Sequence, residues 1–274
     1  MLNGLDLFSG IGGISLALEP WVATIAYCES DRYAQSVLLS RMASGHLRSA
    51  PIWNDVRSLS TSFLPQIDII TGGFPCQDIS FAGRGAGLGG QRSGLFAHIA
   101  RLVSEANPRL VFLENVPAIR TRGLNSVIQS FTELGYDCRW TVVSAAEIGA
   151  PHLRKRWFLL AKAQHPEAVL RKTLKRAKSN RNNEGPKALA NAESCGWKQG
   201  NQDAAGSFFG EGEVWAEERN RPTYSPRWWI VEPDLDRMVD GVPCRVDRLR
   251  GLGNSVVPAQ AREAFKRLSG WSKP

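Results

Sequence analysis

Three side chains of this sequence have the chemistry of an enzyme site, and the first is the thiol of Cys76. It lies in the Gly- and Pro-bounded loop 72–80, directly after the apolar run 67–71. A cysteine is more often a small buried hydrophobe than a nucleophile. A loop at the end of a strand leaves the thiol partly exposed, however, and a reactive thiolate requires that exposure. The position of Cys76 therefore favours a nucleophile.

The carboxyl of Glu114 and the guanidinium of Arg156 are the other two. Glu114 directly follows the apolar run 110–113, so we expect it to be partly desolvated. Desolvation raises a carboxyl pKa, which suits proton donation near neutral pH. The alternative is that Glu114 caps the helix that follows. Arg156, with Arg154 beside it, is a cation whose role these residues alone do not fix, and a pair of surface cations on a strand is one interpretation.

A glycine turn, residues 6–13, follows the first predicted strand. Gly10, Gly12 and Gly13 allow a ligand to approach backbone N–H groups, as nucleotides do in such turns. Ser15 stands where a dinucleotide fingerprint has its third glycine, so a dinucleotide is disfavoured. A nucleotide site and a plain tight turn both remain open from these residues alone.

Two acidic residues favour the nucleotide interpretation. Glu29 ends the second predicted strand about 20 residues after the turn, where an acid accepts hydrogen bonds from ribose hydroxyls. Asp55 follows a third short strand and is placed to reach an adenine amino group. The alternative for each residue is a solvated surface carboxylate.

Short apolar strands alternate with helical patterns through the first 160 or so residues. We predict strands at 4–8, 22–28, 67–71 and 110–113, and helices at 31–42, 95–106, 119–134 and 256–268. Ser255 is expected to cap the last helix, with Pro258 in its first turn. This alternation predicts an α/β fold with a doubly wound, mostly parallel sheet. Ligands bind beyond the carboxyl ends of such strands, where the motifs above all lie.

Composition places the chain among ordinary globular proteins. Of its 274 residues, 43% are hydrophobic and 22% are charged, which disfavours wholesale disorder and fibrous repeats. No window approaches the roughly 18 consecutive apolar residues that a membrane span needs, and the N-terminus lacks the pattern of a signal peptide. A cytoplasmic protein without a membrane partner is expected. The five cysteines are scattered without Cys-x-x-Cys spacing, so neither a disulfide framework nor a metal site is expected.

The net charge of +8 is concentrated in one segment, residues 151–187. This segment holds eleven Lys and Arg residues against Glu167 and Glu184, whereas the rest of the chain has 23 basic and 24 acidic residues. One basic strip on a nearly neutral body favours an anionic partner such as nucleic acid.

Taken together, the motifs resemble those of bacterial and phage C5-cytosine DNA methyltransferases, in the same order along the chain. Residues 151–157 resemble a Gln-x-Arg-x-Arg motif of that family, with His152 in place of the glutamine. The other matching segments are the glycine turn 6–13, Phe74-Pro75-Cys76-Gln77, Glu114-Asn115-Val116 and 253–258. The resemblance covers roughly residues 1–162 and 245–268.

The resemblance implies the fold of S-adenosylmethionine-dependent methyltransferases and a division of the chain into three parts. Residues 1–162 would form the catalytic, cofactor-binding domain, residues 163–244 a small inserted target-recognition region, and residues 245–274 a C-terminal segment returning to the catalytic domain. The residues themselves show only that 164–212 are polar and basic, typical of either a flexible insert or a small irregular module.

The resemblance also implies roles at the site. Cys76 would add to cytosine C6, Glu114 would contact N3, Arg156 would hold the base through O2, and Arg154 would support the loop or the phosphates. Transfer of a methyl group from S-adenosylmethionine to C5 would follow. The residues implied to bind this cofactor are Phe8, Gly10, Ile11, Gly12, Gly13, Glu29, Asp55, Pro75, Leu95, Asn254, Ser255 and Val256.

Double-stranded DNA is the implied partner, with the target cytosine flipped out of the helix. The Gly-rich segment 83–94 would close over the DNA, although a floppy surface loop has the same composition. A monomer in a bacterial or phage-infected cytoplasm is expected, with a cognate restriction endonuclease as a functional rather than physical partner.

Three alternatives compete with this interpretation. The short middle region permits a tRNA cytosine methyltransferase, but the Cys-Phe-Thr element of that branch is absent from the sequence. A non-catalytic DNA-binding relic would not need Cys76, Glu114 and Arg156 intact. A nicotinamide oxidoreductase is disfavoured by the incomplete glycine fingerprint and leaves Pro75-Cys76 without a role.

Overall fold

Seven strands form one sheet in the order β3-β2-β1-β4-β5-β7-β6. The computed structural model describes residues 1–75, 94–164 and 245–271, which all belong to one compact unit. The strands are β1 (Leu2–Leu7), β2 (Val22–Cys28), β3 (Ile52–Trp53), β4 (Ile69–Gly73), β5 (Leu110–Asn115), β6 (Tyr136–Ser144) and β7 (Lys155–Ala163). Strands β1 to β5 run parallel to one another, and β7 runs antiparallel to β5 and to β6. The predicted doubly wound, mostly parallel sheet is confirmed.

Helices cover both faces of the sheet. They are α1 (Gly13–Leu18), α2 (Arg32–Ala43), α3 (Leu95–Ala106), α4 (Ile119–Arg122), α5 (Leu124–Glu133), α6 (Arg245–Asn254) and α7 (Pro258–Ser269). Successive side chains of a strand point to opposite faces, and in β5 this sends Val111 and Leu113 into one core and Leu110 and Phe112 into the other. Burial on both faces explains why this strand is a continuous apolar run.

The C-terminal helix α7 completes the second core. Phe265 packs edge-on against Phe112, with ring centroids 5.3 Å apart, and also contacts Trp21. Arg262 donates hydrogen bonds to the carbonyls of Ala17 and Leu16, at 2.9 and 3.2 Å. Apolar packing and these two bonds hold α7 against α1, the helix that follows the glycine turn. No helix within the described ranges is both long enough and apolar enough to cross a membrane.

Two details of the predicted helices are wrong. The segment 119–134 forms two helices, because the backbone leaves helical geometry at Gly123 (φ −174°, ψ 4°) and a new helix, α5, begins at Leu124. The last helix begins at Pro258 after Val257, without a side-chain cap. Ser255 does not cap it, since its hydroxyl donates to the carbonyl of Leu252 in the preceding turn, 2.9 Å away. The predicted strand 22–28 and helix 95–106 have the observed bounds.

Candidate active site

A cavity of about 1000 Å³ opens at the carboxyl ends of the parallel strands. Most of the predicted site residues line it, although they come from eight separate stretches of the chain. The residues in question are Phe8, Gly10, Ile11, Glu29, Asp55, Pro75, Leu95, Glu114, Arg156, Asn254 and Ser255. The carboxyl-end rule for open α/β sheets therefore located the cavity from the sequence.

Glu114 and Arg156 form an ion pair in the wall of this cavity. Arg156 Nε lies 2.9 Å from Glu114 Oε1, and the two side chains are only 16% and 12% exposed. The pair forms because β7 runs antiparallel to β5, so the start of β7 lies beside the end of β5. Burial raises the pKa of Glu114 to about 7, although Arg156 and Arg154 act to lower it. Near neutral pH this carboxyl is therefore able both to donate and to accept a proton.

The chain before Cys76 is fixed by the residue that follows Glu114. Asn115 Nδ2 donates to the carbonyl of Phe74, 2.9 Å away, and its Oδ1 accepts from the amide of Val116 at 2.8 Å. A methyl group at Gly73 would lie 2.9 Å from Glu114 Oε2, so only glycine leaves room for the carboxylate there. Pro75, the last described residue of this segment, lines the cavity. Cys76 and the predicted loop 83–94, except Gly94, lie outside the described residues.

The glycine turn is held open by Glu29. Its Oε2 accepts from the amide of Gly10 at 2.7 Å, and its Oε1 accepts from the amide of Asp31 at 2.8 Å. Each carboxylate oxygen keeps a second lone pair for a ligand donor. Phe8 (φ +52°) and Gly10 (φ +53°) both adopt the left-handed conformation that gives the turn its shape. This conformation is uncommon for a phenylalanine, which marks Phe8 as a residue held in place by its surroundings.

Asp6, a buried carboxyl in β1, forms hydrogen bonds beneath the glycine turn. It was not among the predicted site residues. It is 1% exposed and accepts hydrogen bonds from the hydroxyls of Ser15 and Thr71, both at 2.7 Å. Burial raises its pKa to about 6, against the opposite effect of these two bonds. Ser15, which breaks the dinucleotide fingerprint, thus joins the turn and the first helix to β1. An acidic residue inside an apolar strand was the available sequence signal.

Asp55 lines the cavity in an ion pair with Arg57. Arg57 Nε lies 3.0 Å from Asp55 Oδ1, and the hydrogen bond from Arg57 lowers the pKa of Asp55. The carboxylate is about one-third exposed and faces the cavity beyond β3. It is therefore ionised near neutral pH and able to accept a hydrogen bond from a ligand amino group.

Four predicted site residues lie behind the cavity wall. Gly12 packs under Leu38 and Leu47, and Gly13 packs against Val256. Arg154 donates through Nη2 to the carbonyl of Gly253 at 2.8 Å and also to that of Ser255. In this structure Arg154 thus binds the C-terminal segment rather than facing the cavity.

Several cavity residues were missed from the sequence. Among them are Ser30, Asp31, Tyr33, Asn54, Val56, Arg57, Val116, Asp247 and Gly251. Most come directly after Glu29, Asp55 or Glu114, so extending each strand-end motif by a few residues would have found them. Within the ranges that the structure describes, no group of three or more His, Cys, Asp or Glu residues is placed to hold a metal ion.

Comparisons with known proteins agree with this geometry. The chain is 39% identical over 170 residues to the type II methyltransferase M.CviJI of Paramecium bursaria Chlorella virus IL3A, covering 61% of this chain and 45% of the relative. It is 35% identical over 164 residues to the type II methyltransferase M.HhaI of Haemophilus parahaemolyticus, covering 58% and 48%. The chain spans about half the length of the curated relatives it matches.

A solved structure and a family model extend the comparison. A prophage-encoded protein of E. coli, described as a DNA modification methyltransferase, superposes with a TM-score of 0.50 at 30% identity, over 61% of this chain and 48% of that one. The model of the C-5 cytosine-specific DNA methylase family matches residues 2–222, well over half of the chain. The chain belongs to the C-5 cytosine-specific DNA methylase family.

Proposed function

We propose that the chain is a DNA (cytosine-5)-methyltransferase that transfers a methyl group from S-adenosylmethionine to C5 of a flipped-out cytosine in duplex DNA. The observation that carries the proposal is one cavity with two chemically different regions. Glu114 lies at the end of β5, Arg156 lies at the start of β7, and Glu29 directly follows β2. Three strand spacings separate β2 from β5, or about 14 Å, which gives room for a cofactor and a base side by side.

The region around Glu114 is suited to a cytosine ring. In the proposed reaction the thiolate of Cys76 forms a bond to C6, while Glu114 donates a proton to N3 and so neutralises the charge that the ring acquires. Arg156 donates to O2, and its pairing with Glu114 orients both groups before the base arrives. C5 becomes nucleophilic and takes the sulfonium methyl group, with S-adenosylhomocysteine as the leaving group. Water then removes the C5 proton, expulsion of Cys76 as a thiolate restores the C5–C6 double bond, and N3 returns its proton to Glu114.

The region around Glu29 is suited to S-adenosylmethionine, which supplies an electrophilic sulfonium methyl group when bound. The free lone pairs of the Glu29 carboxylate would accept from the ribose hydroxyls, and Asp55 would accept from the adenine amino group. Phe8 and Ile11 form apolar parts of the cavity wall. Gly10 also lines the cavity and has no side chain to occupy the open space beside it. The donors and acceptors present therefore fit this cofactor.

The rest of the chain would bring duplex DNA to the cavity. Residues 163–244 would be the target-recognition region, with the basic strip 151–187 neutralising phosphates. The packing of α7 on α1 supports the proposal that residues 245–274 complete the catalytic domain of residues 1–162. The proposal extends to a monomer in a bacterial or phage-infected cytoplasm, with a restriction endonuclease as a functional partner.

Covalent trapping tests the proposal. The protein is incubated with S-adenosylmethionine and duplex DNA in which cytosine is replaced by 5-fluorocytosine, whose C5 fluorine cannot be removed as a proton. A denaturation-resistant adduct is expected with the native protein and with Cys138→Ser, a thiol half-buried on the sheet. None is expected with Cys76→Ser.

The alternatives give different results in the same assay. An adduct with fluorinated tRNA but not with duplex DNA would overturn the assignment of DNA as substrate. No adduct with either nucleic acid would refute the catalytic proposal. An adduct that persists in Cys76→Ser would refute the assignment of the nucleophile.

A further inference from the structure

The side-chain amide of Gln260 is fully buried and connects helix α7 to the backbone beside Arg156, the partner of Glu114 in the ion pair. Gln260 lies in the first turn of α7 and is 0% exposed. Its Nε2 donates to the carbonyl of Val143 and to the carbonyl of Arg154, both at 2.7 Å. Because both neighbours are carbonyl oxygens, the orientation of the amide is fixed, with nitrogen toward them.

Both carbonyls belong to neighbours of Arg156. Val143 is the cross-strand partner of Arg156 in the β6–β7 pairing, and Arg154 is two residues earlier in the chain. Arg154 in turn reaches back with its guanidinium to the carbonyls of Gly253 and Ser255. The C-terminal segment 251–260 is therefore bonded to the start of β7 in two ways. The side chain of Gln260 donates to the backbone carbonyl of Arg154, and the side chain of Arg154 donates to the backbone carbonyls of Gly253 and Ser255.

Packing alone does not explain an amide at this position. Gln260 Oε1 is buried and has no hydrogen-bond partner among the described residues. An unsatisfied buried acceptor costs free energy, whereas a methionine of similar volume would avoid that cost. The amide is present despite that cost, and what it supplies is the pair of bonds from Nε2 to the carbonyls of Val143 and Arg154.

We propose that Gln260 is a positioning residue, whose amide holds the start of β7 so that Arg156 faces Glu114. The effect of Gln260 on catalysis depends on the proposed function, because that function is what gives the Glu114–Arg156 pair its role in the reaction. The inference is separate from that function in its geometry, because the contacts of Gln260 and the Glu114–Arg156 pair are all made by residues of this chain.

The test uses Gln260→Met in the full chain, with Arg262→Met as the matched control. Arg262 is on the same helix and also donates to two carbonyls, but those belong to α1, away from β7. In protein labelled with ¹⁵N-arginine, the Nε–H of Arg156 is followed by NMR, assigned through Arg156→Lys. We expect its exchange with solvent to become about tenfold faster in Gln260→Met, because local opening governs exchange, and to stay within twofold in Arg262→Met.

The trapping assay supplies the second measurement. The rate of adduct formation should fall about tenfold in Gln260→Met, since small displacements of positioning groups have effects of that size or larger. The affinity for S-adenosylmethionine should change less than twofold. Gln260→Asn keeps the amide but is one methylene too short to reach both carbonyls, so we expect intermediate exchange and intermediate rates if the methionine variant does not fold.

Two results would overturn the inference. Unchanged Arg156 exchange in both Gln260 variants would do so, and so would equal acceleration in Arg262→Met, which would show that helix docking in general is responsible. If the native protein forms no adduct while the exchange difference is observed, the proposed function fails but the positioning of the pair by Gln260 stands.

Discussion

Arg156 Nε donates to Glu114 Oε1 at 2.9 Å, and the pair is largely withdrawn from water. Burial favours the neutral form of the carboxyl, while the guanidinium favours the charged form, and burial has the larger effect. The Glu114 carboxyl is therefore balanced between its two forms near neutral pH, where loss of Arg156 would shift its protonation.

Replacement of the arginine should raise the pKa of Glu114 further. In Arg156→Met the neighbouring charge that favours the carboxylate is lost, so we expect the pKa to rise above its native value of about 7. The Cδ chemical shift of Glu114, followed by ¹³C NMR across pH 5 to 9, measures it. Arg57→Met is the control, since Arg57 lines the same cavity but pairs with Asp55. A pKa that stays or falls in Arg156→Met would contradict this electrostatic account.

Adduct formation should lose rate as pH rises through about 7. Glu114 donates a proton only while it is protonated, and its pKa of about 7 places the loss of that form in this range. In Glu114→Gln we expect the rate to fall by roughly 10²- to 10⁴-fold, the usual contribution of a general acid, and the basic limb to disappear. Single-turnover trapping at a series of pH values measures both effects. If the rate of Glu114→Gln still falls as pH rises through about 7, the titrating group is not Glu114.

Asp6 should make the native protein less stable as pH rises from about 4 to about 6. Its pKa is raised from 3.8 to about 6 by burial, so across this window the unfolded chain has lost a proton that the folded chain still holds. Stability from the protonated form is complete below pH 4 and is lost as pH passes 6. Relative to Asp6→Asn, the native protein should lose about 3 kcal/mol of unfolding free energy across the window.

Urea unfolding at pH 4, 5, 6 and 7 measures the difference between the two proteins. Glu114 titrates in both of them, so its contribution cancels. A difference that does not vary with pH would mean that Asp6 is ionised throughout, and the opposite slope would mean that its hydrogen bonds outweigh its burial.

Neighbouring glycines at the end of β4 should respond differently to alanine. A methyl group at Gly73 meets only the end of the Glu114 side chain, at 2.9 Å, so the carboxyl moves and the fold tolerates the change. A methyl group at Gly72 meets the backbone carbonyl of Leu7 at 2.7 Å, which forces β1 and β4 apart. We expect Gly73→Ala to slow adduct formation at least about tenfold with little loss of stability, and Gly72→Ala to cost about 1–3 kcal/mol.

Thermal unfolding and single-turnover trapping of the two variants separate these effects. Gly73→Ala with native trapping rates would show that the Glu114 carboxyl is not constrained at this position. Equal destabilisation by both substitutions would show that β4 packs more tightly against β5 than the structure indicates.

The basic strip should govern the salt dependence of DNA binding. Lys172, Lys175 and Arg176 lie outside the described residues, but their charges belong to the segment that carries the net charge of the chain. Replacing all three with glutamine should weaken binding and lower the slope of log K against log salt by about one for each phosphate that is no longer neutralised. Fluorescence anisotropy with duplex DNA at several salt concentrations measures the slope, and S-adenosylmethionine affinity should be unchanged. An unchanged slope would remove the strip from the DNA interface.

The parts of the fold that depend on local pattern were predictable, and the parts that depend on long-range pairing were not. Strand β2 and helix α3 follow directly from apolar periodicity. The β6–β7 pair was not predicted, because β6 is an edge strand with an exposed, polar sequence that carries little periodic signal. The cross-strand partners of β6 residues depend on where β7 lies, and β7 is in turn positioned by its pairing with β5.

The same distinction holds in the site. Glu29 and Glu114 were found because an acid at the carboxyl end of a buried strand is visible in the sequence. The contacts of Arg154 were not, since its partners at Gly253 and Ser255 are about a hundred residues away along the chain. Gln260 gave no signal either, because a single glutamine in an amphipathic helix is ordinarily a surface residue.

The C-terminal segment packs along and behind the cavity wall, with Val256 against Gly13, Gly251 beside Ile11 and Tyr33, and Gly253 and Ser255 bonded to Arg154. During synthesis these residues emerge from the ribosome after everything they contact. The parallel sheet is able to begin forming earlier, but a nascent chain lacks a closed cavity until residues 251–260 have been made. Synthesis of residues 251–260 is thus a condition for closing the cavity, and a product truncated before residue 251 would lack this part of the wall.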